Sequence, residues 1–245
     1  MPTLRIPRRF NGPRGSGNGG WSAGALAATL PDAGMGRPVT VALRMPPPLD
    51  IPLPLTTRPD GAVVSYQGRT VAQAAYADHA PEPVPGVPAR EAAQAEARYK
   101  GHEHHPFPTC FTCGTHRRPG DGLRIFAGPV GSRDGRFATS STTAETGRVA
   151  STWTPFETSV PITWAALDCP GGWASDLEER PVVLGTITVL VERLPTTAER
   201  YVVVGEQRGV EGRKTYTAAT LYDPVGDIVA TAEHIWIAID PKEFA

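Results

Sequence analysis

Three short phrases occur twice in this chain, in the same order, and they limit the fold more than any other feature. NGGW at residues 18–21 is answered by PGGW at 170–173, RPVTVALRM from Arg37 by RPVVLGTIT from Arg180, and GRTVAQAAY from Gly68 by GDIVATAEH from Gly226. Each match alone is weak. Three in one order point to two copies of one unit: a helix behind a Gly pair, an Arg-Pro strand, then a strand leaving a Gly turn. A chain of 245 residues can bury a core shared by both copies. Gly and Pro, 26 of each, exceed ordinary usage but follow no fixed period, which excludes collagen and general disorder.

Local signals fill the intervals. Residues 21–30, WSAGALAATL, read as a helix with Gly before and Pro31 after. Residues 37–46 alternate as a half-buried strand, and 61–77 read as a hairpin about Gln67-Gly68. Residues 53–55 are too bounded by Pro to assign. DHAPEPVPGVP is a polyproline-like linker, followed by a short helix over residues 91–100 and a His, Pro and Cys cluster over 102–116. Strands are expected at GLRIFAGPV, GRVASTWTP, residues 181–195, YVVVGEQRGV and a closing hairpin over residues 223–226; a second helix is expected around 173–179, behind Gly171 and Gly172. The domain reading is a first repeat at 1–77, a linker with the His/Cys insertion at 78–118, and a second repeat at 119–245.

With 24 basic and 25 acidic residues the net charge is -1, so no field draws nucleic acid or anionic membrane. Apolar runs fall short of the roughly 18 residues that span a bilayer, and the basic N-terminus leads into no apolar segment of a signal peptide. Three cysteines, an odd number in a chain this large, fit a reducing cytoplasm. No P-loop is present.

A helix preceded by small residues and wrapped by a long antiparallel sheet resembles the hotdog fold, and two tandem copies resemble the double-hotdog acyl-CoA thioesterases, an α+β architecture. GWASDL at residues 172–177 resembles the helix motif of the acyl-CoA thioesterase II family, in which the Asp is catalytic. LGTITVLVERLP is similar to that family's strand carrying a catalytic Thr, and GDIVATAEH to its last hairpin strand, which carries a Gln. GNGGWSAGALA is similar to the N-G-G-Y helix opening of thioesterase-like hotdog proteins. The resemblance covers residues 12–77 and 154–239 and leaves out the linker and the His/Cys segment, which is free to cap a tunnel or cover a sheet edge.

What the resemblance implies is hydrolysis of acyl-CoA or a related acyl thioester, a place in lipid metabolism, no cofactor, and a fold that tolerates pairing of two chains. Asp176 would be the base, Thr186 the family's Thr (Thr188 if the alignment slips), and His234 stands where the family has Gln. That departure keeps open a non-catalytic acyl-ligand binding protein; a hotdog hydratase is disfavoured because no D-x4-H motif follows Asp176.

Physical chemistry adds further candidates. Free N–H groups at a helix start carry partial positive charge and can polarise a thioester carbonyl, which nominates Gly19, Gly20, Gly171 and Gly172 with Asn18 as an added donor. The plainer reading of these glycines is close packing of helix on sheet. Asp168 is a second carboxylate for which a capping or turn role is the readier reading. Cys110 and Cys113 have the C-x2-C spacing of a zinc half-site near His102, His104, His105 and His116, but a second pair is missing. No metal is expected there, and buried thiols packed in an insertion are the preferred reading. Arg117 and Arg118 are candidates for CoA phosphates or for plain solvation.

Overall fold

The computed structural model describes residues 2–32, 34–131, 147–175, 177 and 180–240. The elements run β1 (Thr3–Arg5), α1 (Gly19–Ala27), β2 (Val39–Leu43), β3 (Pro52–Arg58), β4 (Gly61–Tyr66), β5 (Arg69–Tyr76), α2 (Ala89–Glu96) and β6 (Gly128–Pro129). They continue with β7 (Arg148–Trp153), α3 (Val160–Ala174), β8 (Val182–Val191), β9 (Tyr201–Glu211), β10 (Lys214–Tyr222) and β11 (Ile228–Ala238). Among the described residues no helix is long and apolar enough to cross a membrane.

All strands join one antiparallel sheet in the order β1-β3-β4-β5-β2-β8-β11-β10-β9-β7-β6. Its middle is the β2–β8 pair, with Val41 opposite Ile187. Outward from that pair the order is β5, β4, β3, β1 on one side and β11, β10, β9, β7 on the other. In chain order each side reads strand, helix, four strands, so β1-α1-β2-β3-β4-β5 corresponds position by position to β7-α3-β8-β9-β10-β11. Two of the three repeated phrases fall on corresponding strands, β2 with β8 and β5 with β11.

The third does not. NGGW begins α1, whereas PGGW ends α3, so the second helix start expected at Gly171-Gly172 is corrected to Ser159. The Ser159 hydroxyl caps α3 by accepting the Ile162 N–H at 3.4 Å, and Pro161 occupies the first turn, where a missing N–H costs nothing. Pro170 lies inside the helix instead of in front of it. Gly171 and Gly172 sit where the last turn presses on the sheet: a Cβ on Gly171 would lie 2.6 Å from Thr217 Oγ1, and one on Gly172 would lie 3.2 Å from the Trp236 ring. Their role is close approach.

α1 is apolar around its whole circumference because it is enclosed by the sheet and α3. Glycines set that contact: an added Cβ would stand 2.6 Å from Asp168 Cβ at Gly20 and 2.7 Å from Trp164 Cβ at Gly24. The hairpin expected at Gln67-Gly68 is present, both residues having positive φ (49° and 75°) as a tight two-residue turn between β4 and β5 requires. β1 and β3 were not expected, and GLRIFAGPV contributes only the two residues of β6.

The segment between the two halves splits in function. The linker crosses β10, where Val84 N–H donates to Thr220 Oγ1 at 2.8 Å, and α2 lies on β7, where Glu96 accepts from Thr152 N–H at 2.7 Å. Together they cover Val202, Val204 and Ala218 on the outer sheet face. The His/Cys loop instead turns inward against α1 and α3.

Candidate functional site

α1 starts at a cavity of about 260 Å³ whose walls come from the α1 N-terminus, the cysteine loop, α3 and the ends of β2, β8 and β11. Leu43, Met45, Phe107, Leu184 and Trp236 make most of the lining apolar, and Asn18, Asp168, Cys110, Cys113 and Cys169 form its polar part.

Asp168 projects from α3 toward the first turn of α1. Its Oδ2 accepts the Gly20 N–H and the Asn18 Nδ2–H, both at 2.9 Å, and its Oδ1 has no partner. Asn18 Oδ1 accepts the Trp21 N–H at 2.8 Å, so the same side chain caps α1 and fixes the carboxylate. Three of the four N–H groups at this helix start are thereby engaged, Asn18 N–H by Phe10 O; the Gly19 N–H, at the cavity wall, has no partner among the described residues. The carboxyl is pushed up to about 7, mainly by burial; the Gly20 N–H opposes this, Cys110 adds to it, and Asn18 opposes it less strongly.

Beside Asp168, Asn18 Nδ2 also points to Cys110 Sγ at 3.7 Å, and Cys110 Sγ lies 3.7 Å from Cys169 Sγ. Thiol hydrogen bonds from Cys113 and Cys169 hold the Cys110 thiol well below its usual range; burial pushes Cys113 up, and donation to Cys110 does the same for Cys169. His105 is not part of this set. Its Nδ1 accepts the Phe107 N–H at 2.9 Å, so Nε2 carries the proton and donates to the Cys113 carbonyl at 3.1 Å. His102, His104 and His116 are exposed.

The expected group of Asp176, Thr186 and His234 is not brought together among the described residues. Asp176 lies outside them. Thr186 is displaced from the cavity by strand alternation: its neighbour Ile187 faces the helices with full burial, so Thr186, opposite Ala42 and Ile235, faces the other side of the sheet. Thr188 shares that outer face, its hydroxyl 2.8 Å from that of Thr40. His234 does face the helices, but beneath Gly171 and away from the cavity. Trp236 Nε1–H donates to Thr217 Oγ1 at 2.8 Å, and the Thr217 hydroxyl donates to His234 Nδ1 at 3.0 Å. Burial pushes the ring down to about 4, against smaller opposing effects of Thr217 and the Leu167 carbonyl. Such a ring is neutral and acts as a core acceptor.

Of the expected carbonyl donors, Asn18, Gly19 and Gly20 meet at the cavity, with Gly20 already taken by Asp168. Sequence reasoning placed little weight on Asp168 and did not join Cys169 to the C-x2-C pair; the adjacent Asp-Cys in an apolar helix was the available signal. Arg117 is neither solvated nor free for phosphate: it donates to Thr109 O, Arg9 O, Asn11 Oδ1 and Asp121, tying the cysteine loop to the N-terminal segment.

The class of protein follows from the sheet wrapped around α1 and α3: this is a hotdog-fold chain. A conserved protein of unknown function with hotdog fold from Alicyclobacillus acidocaldarius superposes with a TM-score of 0.60 at 12% identity, over 98% of this chain and 93% of the other. A tesB protein of Mycobacterium avium subspecies paratuberculosis gives 0.60 at 10% identity, over 97% and 91%. An acyl-CoA thioesterase II of Mycobacterium marinum gives 0.53 at 8% identity, over 91% of each chain. At such identities the likeness establishes the fold. No family model matches the chain, and no curated protein matches it in sequence.

Proposed function

We propose that the chain comprises two hotdog units, at residues 1–77 and 119–245, and hydrolyses acyl-CoA or a related acyl thioester in the cavity at the start of α1. The mirrored strand order about β2–β8 supports the two-unit reading. The observation that carries the chemistry is Asp168: a carboxylate at the wall of a mostly apolar cavity, one oxygen fixed by Asn18 and Gly20, the other unpartnered. The acyl chain would lie against Leu43, Met45 and Trp236. Asp168 Oδ1 would hold and deprotonate the attacking water, and the Gly19 N–H would receive the oxyanion of the tetrahedral intermediate.

Asp176 is the base that the acyl-CoA thioesterase II resemblance names, and Leu177 beside it lines the cavity. Thiol release from acyl-CoAs of increasing chain length decides between them. Asp168→Asn is expected to lower kcat/KM on the order of 100-fold, the usual effect of losing a general base, with Asp176→Asn near wild type; the reverse pattern returns the role to Asp176. A second reading, acyl-ligand binding without turnover, is favoured by the absence of Thr186 and His234 from the cavity wall. Acyl-CoA binding by calorimetry without thiol release would select it.

A further inference from the structure

Cys110, Cys113 and Cys169 place their sulfur atoms within 4.8 Å of one another, and the Cys110–Cys169 separation is 3.7 Å. A tetrahedral cation with metal–sulfur bonds of about 2.3 Å spaces its ligands about 3.8 Å apart. We propose that these three cysteines bind one thiophilic divalent cation of the zinc class, with its fourth coordination position facing the cavity.

The ligands come from two rigid elements. Cys110 and Cys113 flank a tight turn closed by Gly114 N–H on Cys110 O at 2.9 Å and by His116 N–H on Pro108 O at 2.9 Å. Only glycine fits after the second cysteine, because a Cβ on Gly114 would lie 2.4 Å from Cys110 O. The Cys113 carbonyl is clamped by Tyr99 Oη–H and His105 Nε2–H, each at 3.1 Å. Cys169 comes from α3, more than fifty residues along the chain, and completes the half-site that the C-x2-C pair leaves open. With both nitrogens of His105 engaged, and no other His, Cys, Asp or Glu joining the cluster among the described residues, the donor set is sulfur alone, which selects a soft cation over magnesium or calcium.

Packing of three neutral thiols leaves two observations without a cause. Asn18 Nδ2, itself held by Asp168, points an N–H at Cys110 Sγ at 3.7 Å, as outer-shell donors do toward metal-bound thiolates. The sulfurs also share one cavity wall with Asn18 and Asp168, whereas thiols acting as small hydrophobes need no polar company. Binding would convert thiols to thiolates and release up to three protons to solvent, the cation compensating charge that burial otherwise disfavours.

The test uses the full chain, purified under reducing conditions, stripped with a chelator and titrated with Co2+ and then Zn2+. Expected are one Co2+ per chain, a thiolate-to-cobalt charge-transfer band in the near ultraviolet with visible bands of tetrahedral cobalt, and stoichiometric displacement by Zn2+. Cys169→Ser should weaken Co2+ binding at least tenfold; if that variant does not fold, the wild-type spectrum decides alone. Three reduced thiols with no cobalt–thiolate band on the folded wild-type chain would overturn the proposal. Neither result depends on hydrolysis.

Discussion

Asp168 Oδ2 accepts the Gly20 N–H at 2.9 Å, so a carboxylate from α3 terminates α1 across the helix–helix contact. This bond separates charge from acceptor geometry. Asp168→Asn keeps an oxygen for Gly20 and is expected to change stability by less than about 1 kcal/mol, while Asp168→Ala leaves a buried N–H and the Asn18 amide without their acceptor and should cost about 1–3 kcal/mol. Urea denaturation of the two variants measures the difference. Equal losses in both would show that the bond contributes nothing specific.

The same contact depends on the absence of side chains at Gly20 and Gly24. A methyl group at Gly20 would meet Trp164 O and Asp168 Cβ at 2.6 Å, against backbone that has no room to move. Gly20→Ala is therefore expected to destabilise by about 1–3 kcal/mol despite the better helix propensity of Ala. For a chain of this size that corresponds to a fall in Tm of roughly 2–4 °C per kcal/mol, readable by thermal scanning. An unchanged Tm would mean that α1 and α3 are less closely apposed.

The fold was more legible in the sequence than the site, for physical reasons visible at individual residues. Val39 and Val41, alternating with Thr40, Ala42 and Arg44, report a period of two that any half-buried strand must show. Gln67-Gly68 reports a turn because few pairs adopt two positive φ values. PGGW misled because Pro and Gly punctuate helix ends in local statistics, yet here Pro170, Gly171 and Gly172 are inside α3, tolerated because the helix needs to approach Gly205, Thr217 and Trp236. Thr186 misled because Gly185 is left out of the pairing of β8 with β11, Trp236 pairing with Leu184 and Ile235 with Thr186, so that Leu184 faces the helices and Thr186 does not. Asp168 and Cys169 meet Asn18 and Cys110 only through the packing of α3 on α1.

His234 supplies a pH prediction of definite sign. Its folded-state value, about 4, lies below the ordinary 6.5, so between those values the unfolded chain binds the proton and the folded chain does not. The associated stability is complete above pH 6.5 and is lost as pH falls toward 4, by roughly 3 kcal/mol in all. His234→Gln can still accept from Thr217 and does not titrate. The wild-type minus variant difference in unfolding free energy, measured from pH 7.5 to 4, should fall across that window; a flat difference would contradict the buried neutral ring.

Thr186 separates the proposed site from the one that local motifs suggest. Its side chain stands on the outer face of β8, beyond Ile187 and the sheet itself, and nothing it carries can reach a water held by Asp168 Oδ1. Thr186→Val is close in volume and suits a strand, so kcat/KM for acyl-CoA hydrolysis should stay within about twofold of wild type. Thr217→Val is the informative contrast. It removes the donor to His234 and the acceptor for Trp236 Nε1, both buried, and should lower stability by about 1–3 kcal/mol before it touches turnover. A large loss of kcat in Thr186→Val at unchanged stability would return the chemistry to the outer face of the sheet.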